Sequence, residues 1–223
     1  MKRVSFAFGC LYGLAAVIDV CFTANGNETL RFVSKPLLMI LLMLMYVSEL
    51  GLTTSFSKLL LGALLFSWFG DILLLFNHFF VAGLIAFLAA HICYGIYILR
   101  IKTGTKGLLQ FQPLFGIPVI AYWMLFLWLI LSFLDALKIP VIIYSCVICA
   151  VWMLALNLFW KTDKKTAALF FFGAGQFVLS DSLLAINRFV YPFGILPAIV
   201  MMTYCSAQFL LVAGSIRHLR LFK

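Results

Sequence analysis

Apolar residues in this chain gather into long runs rather than alternating, and most charges fall between the runs. Runs of spanning or near-spanning length cover residues 4–22, 35–50, 57–76, 79–99, 113–133, 139–160, 165–188 and 193–216. A helix crossing a bilayer core needs about 20 apolar residues, so the pattern predicts an all-α membrane protein with eight transmembrane helices. The second run is the shortest. Ser34 reads as its cap, Pro36 as a first-turn residue and Lys35 as a side chain that snorkels to the interface. Asn77 and His78 form a connection short enough to make the third and fourth helices antiparallel neighbours. The first run is long enough to span and has no Ala-x-Ala cleavage site, so it reads as a helix rather than a signal peptide.

Composition agrees: 65% of residues are hydrophobic and only 10% charged, which excludes a water-soluble globule. The chain reads as one domain, 1–223. Eight spans put both termini on one side. That side carries Lys2, Arg3, Lys58, Arg100, Lys102, Lys106, Lys161, Lys164, Lys165, Arg217, Arg220 and Lys223, while Arg31, Lys35, Lys138 and Arg188 lie on the other. The positive-inside rule then places both termini in the cytoplasm, in a bacterial inner membrane or, in a eukaryote, the endoplasmic reticulum. The net charge of +9 is thereby a topology signal, and no nucleic-acid partner is needed to explain it. Oligomeric state cannot be read from the sequence.

All six cysteines sit in apolar runs, and the Cys146-x-x-Cys149 pair lacks the second ligand pair of a metal site. His78, His91 and His218 fall at different depths, so no metal set can be drawn. No phosphate loop, nucleophile elbow or dinucleotide fingerprint is present either, and no cofactor is expected. Gly173, Ala174 and Gly175 read as small residues for close helix packing.

Two stretches echo each other: Gly70–Phe79 reads GDILLLFNHF and Ser180–Phe189 reads SDSLLAINRF. The offset, 181 − 71 = 110, also carries Tyr94 onto Tyr204, which suggests repeat halves 1–110 and 111–223 related by an axis along the membrane normal. Asp71 and Asp181 lie about 7 to 10 Å below the non-cytoplasmic boundary at 1.5 Å per residue. An intramembrane carboxylate is a functional-site hypothesis by default. If the two are neighbours, desolvation and repulsion disfavour ionising both, which leaves one acid and one base. The sequence does not divide these roles, although Ser180 and Asn187 lean Asp181 towards the ionised one. Asp19, Glu28, Glu49, Asp135 and Asp163 fall in loops or near helix ends and read as solvated or capping.

Further polar groups surround this pair. His91 and Tyr94 share a face of the fourth helix, as Tyr204 and Gln208 do in the eighth, and Tyr144 lies in the sixth. Lys35 and Arg188, at the outer ends of the second and seventh helices, suit a lipid phosphate.

The chain resembles the YhhN-like lysoplasmalogenase family. The resemblance is carried by Lys35-Pro36, Gly70-Asp71, His91 and Tyr94, Gly173-Ala174 through Ser180-Asp181, and Tyr204 with Gln208, in that order along nearly the whole chain. It implies hydrolysis of the vinyl ether bond of a lysoplasmalogen to a fatty aldehyde and glycerophospho-ethanolamine or glycerophospho-choline. The expected partners are a lysophospholipid and the bilayer. Vinyl ether hydrolysis passes through an oxocarbenium ion, for which two carboxyl groups are suited as they are in glycosidases. A proton-coupled transporter using the same acids is the main rival. An intramembrane aspartyl protease fits less well, because Trp68 and Ser180 stand where its motifs need Gly and Tyr.

Overall fold

A computed structural model describes residues 2–52, 54–101 and 105–221. Its helices are α1 (Arg3–Ala24), α2 (Glu28–Leu50), α3 (Ser55–Leu74), α4 (Phe80–Leu99), the short α5 (Leu108–Phe111), α6 (Ile117–Ile130), α7 (Lys138–Leu156), α8 (Lys164–Ala185) and α9 (Leu196–Leu221). Among the described residues, eight helical spans are long and apolar enough to cross a membrane. The chain is a multi-pass, all-α membrane protein. Lys102 and Lys223, counted in the charge asymmetry, lie outside the described residues.

The expected start of α2 is corrected. Asn27, not Ser34, is its cap: the side-chain oxygen accepts from the Leu30 amide at 3.3 Å. An Asx cap satisfies one of the orphan amides of a first turn, so the helix begins at Glu28 and Pro36 lies in its interior. Lys35 is consequently two turns inside the helix rather than at its mouth. The seventh apolar run also ends differently, because α8 gives way to a π turn over Ile186–Val190.

The chain forms two compact units. The first comprises Met1–Tyr97 with Ser215–Lys223. In it α1 packs along α2, and α2 along α3. The inward face of α2 is Leu38, Met39, Leu42, Met45, Tyr46 and Glu49, all buried and spaced three or four apart as one helix face requires. Val33, by contrast, points outward and is 71% exposed. Helices α3 and α4 approach closely at Gly70, where an added Cβ would fall 2.6 Å from the Phe87 ring. Residues 215–221 close the unit with a buried chain of bonds: Tyr46 Oη to Ser215 Oγ at 3.0 Å, Ser215 Oγ to Tyr97 Oη at 2.8 Å, and Tyr97 Oη to His218 Nδ1 at 3.0 Å. Glu49, expected to be solvated, is buried; it accepts from the Lys2 amide at 2.9 Å and from Arg220 Nε at 3.1 Å.

The second unit is Ile98–Gly214. Here α6 packs on α7 and α7 on α8. Gly175 lets α8 meet Trp152 of α7, whose Nε1 would be 2.9 Å from an added Cβ. Asp163 caps α8 by accepting from the Thr166 amide at 3.3 Å. Large apolar side chains such as Met124 and Trp128 lie bare on α6, as is ordinary where lipid is the solvent and packing rather than hydrophobicity decides which face turns inward.

Candidate active site

In the first unit two helices bring charge together. Asp71 lies one turn after Ser67 on the inward face of α3, and both are buried. The Lys35 side chain, 9% exposed, comes from α2 and sets Nζ 3.6 Å from Asp71 Oδ1. That is ion-pair range but longer than a direct hydrogen bond. Bringing two charges into a low-dielectric interior is expensive unless they pair, and a charge within the bilayer is rare outside functional sites. By sequence Lys35 suits an interfacial phosphate contact; the longer α2 places it beside Asp71 instead.

Asp19 of α1 needs a similar correction. It is fully buried, and Ser34 Oγ donates to its Oδ1 at 2.5 Å. The apolar run stops at residue 22, but α1 continues to Ala24, which puts Asp19 more than a turn inside the helix end. On α4, His91 is buried and its Nδ1 lies 2.8 Å from the Phe87 carbonyl of the preceding turn. The rings of His91 and Tyr94 meet edge to face at 6.2 Å, as their spacing implies.

In the second unit Asp181 is half-buried on α8, and Tyr144 of α7 donates to its Oδ2 in a short hydrogen bond. Tyr144, a weaker candidate contact by sequence, is therefore in direct contact with the acid. The polar neighbours expected to serve Asp181 are engaged elsewhere. Ser180 Oγ donates to the Val200 carbonyl at 3.0 Å, because adjacent helical residues point about 100° apart. Asn187 Oδ1 accepts from the Phe193 amide at 3.1 Å and so braces the turn after α8. Arg188 is exposed in the π turn. Ser182 accepts from Tyr122 Oη at 2.9 Å. On α9, Gln208 Nε2 donates to Tyr204 Oη at 3.3 Å, and both are buried. Among the described residues no group of three or more His, Cys, Asp or Glu forms a metal site.

The fold and these acids define a polytopic membrane protein in which each compact unit holds a carboxylate facing a polar partner from another helix. The chain belongs to the YhhN family, whose family model matches residues 30–215. It is similar to lysoplasmalogenase TMEM86B of Mus musculus, 30% identical over 185 residues that make up 82% of this chain and 74% of the relative. The Sus scrofa protein of the same name is 32% identical over 156 residues, 70% of this chain and 62% of the relative. The Homo sapiens protein is 29% identical over 163 residues, covering 73% and 65%. No solved structure matches the chain.

Proposed function

We infer that this chain is a lysoplasmalogenase: it hydrolyses the vinyl ether bond of a lysoplasmalogen, releasing a fatty aldehyde and glycerophospho-ethanolamine or glycerophospho-choline. The similarity to lysoplasmalogenases over most of the chain carries this reading. Asp71 and Asp181 are carboxyl groups of a kind suited to the chemistry.

The reaction begins with proton transfer from a carboxylic acid to the outer vinyl carbon. The ether carbon becomes an oxocarbenium ion, which a carboxylate stabilises. Water adds to that carbon and gives up a proton to a carboxylate, forming a hemiacetal. Loss of the hemiacetal hydroxyl proton and protonation of the glyceryl oxygen then release aldehyde and alcohol. Asp71, paired with Lys35, suits the ionised role. With Asp71 in that role, Asp181, whose Oδ2 accepts from Tyr144, is left as the candidate acid. This differs from the leaning drawn from sequence neighbours, which has less support because Ser180 and Asn187 bond elsewhere. Arg188, exposed beyond α8, remains the candidate for the headgroup phosphate. His91, Tyr94, Tyr204, Gln208 and Asn187 remain candidate contacts for the rest of the lipid.

The test is to incubate purified protein with a lysoplasmalogen and with its saturated alkyl-ether analogue, and to measure free aldehyde. Aldehyde should come from the vinyl ether alone. Asp71→Asn and Asp181→Asn should each lower turnover by about 10²-fold or more, the usual contribution of a general acid or base. Full turnover in either variant would remove that carboxylate from the mechanism. Substrate flux driven by a pH gradient, without cleavage, would favour a transporter.

A further inference from the structure

The first unit holds a buried acid that the reaction above does not use. Asp19 is fully buried and its Oδ1 takes the Ser34 hydroxyl at 2.5 Å, while Oδ2 has no hydrogen-bond partner among the described residues. The backbone there is anchored too, since Thr23 Oγ1 donates to the Asp19 carbonyl at 2.7 Å. Asp19 is thus fixed on α1 through its main chain, and its one side-chain bond reaches the residue that immediately precedes Lys35.

That segment of α2 is intrinsically weak. Pro36 lies in the helix interior. Its ring has no N–H to give to the carbonyl four residues earlier and crowds that carbonyl, which loosens or kinks the turn that precedes it. Residues 32–36, the turn so affected, contain both Ser34 and Lys35. A long lysine side chain on a loosened turn has no fixed aim of its own and keeps wide rotamer freedom. Two tethers remove that freedom: Ser34 to Asp19 on α1, and Lys35 to Asp71 on α3. At 3.6 Å the second is the looser of the two, so the tighter bond next to it is what settles where the turn sits.

We propose that Asp19 is a positioning residue: by holding Ser34 it fixes the Pro36-weakened turn of α2 and thereby aims Lys35 at Asp71. The proposal rests on the reading of Asp71 as a reacting carboxylate, and it deepens that reading by adding a residue that does not touch substrate. It depends on Asp19 as a hydrogen-bond acceptor and not on its charge, because Oδ1 alone makes the link. An asparagine supplies the same acceptor, and a threonine at position 34 supplies the same donor.

The experiment compares Asp19→Asn, Asp19→Leu, Ser34→Ala and Ser34→Thr in the full chain by two measurements. One is kcat and KM for lysoplasmalogen. The other is the rate at which a membrane-permeant amine reagent labels Lys35, read by peptide mass spectrometry, with Lys35→Arg as the blank. Ser34→Ala and Asp19→Leu should lower kcat on the order of tenfold, with KM changed by less than about twofold, since the loss is of orientation. Both should speed labelling of Lys35 several-fold. Asp19→Asn and Ser34→Thr should stay within about twofold of the parent in both measurements. The proposal is overturned if Ser34→Ala matches the parent, or if Asp19→Asn falls as far as Asp19→Leu, which would make charge the operative property. Faster labelling in Ser34→Ala, in a protein that releases no aldehyde from lysoplasmalogen, would uphold the tether and reject the assigned reaction.

Discussion

At the scale of single residues, the two carboxylates are distinguished by what faces them. Asp71 is buried beside a cation, whereas Asp181 is half-buried and receives a phenol proton. These neighbours make different demands on a substitution. Tyr144→Phe removes one donor to Asp181 and leaves the ring in place, so the fold should survive while kcat falls about 10- to 100-fold. Single-turnover aldehyde release measures this, and an unchanged rate would leave Tyr144 a packing residue. Lys35→Met keeps the apolar stem but strands Asp71 without its cation. Removing one partner of a buried pair costs about 3–5 kcal/mol. Lys35→Met should therefore lower the melting temperature by more than Tyr144→Phe does, as thermal denaturation in detergent will show.

The elements are largely legible in the amino-acid sequence, because a bilayer imposes a minimum apolar length and leaves only helices to satisfy the backbone. All eight spans are visible as runs. The N-terminal part of α2 is not, because Glu28, Arg31, Ser34 and Lys35 dilute its hydropathy. The cap at Asn27 and the three- and four-residue spacing of Arg31, Ser34 and Lys35 are the available signals, and they mark one polar helix face. Asp71, Asp181, His91 and Tyr94 stand out as polar groups in apolar surroundings. Asp19 and Glu49 do not, because each lies near a run's end, and a hydropathy pattern cannot tell a solvated end from one covered by a neighbouring helix. Helix contacts carry a prediction of their own. Gly70→Ala would drive a methyl into the Phe87 ring at 2.6 Å. Overpacking of that kind typically costs about 1–3 kcal/mol, and it should shift α3, and Asp71 one residue on, enough to lower activity as well as stability. Gly13, which has nothing within 4 Å of an added Cβ, is the control position and should tolerate alanine.

For the whole molecule, the notable connection is the one residues 215–221 make within the first unit. Their partners are distant in sequence: Ser215 bonds Tyr46 and Tyr97, His218 bonds Tyr97, and Arg220 pairs with Glu49. Membrane insertion proceeds helix by helix from the N-terminus, so Glu49, Tyr46 and Tyr97 enter the bilayer well before their partners have been translated. Until then their polar atoms must find other company, in water at the membrane edge or with the insertion machinery. The first unit is therefore completed only by the last residues of the chain to be translated, so the bonds that close it form after every span has been made.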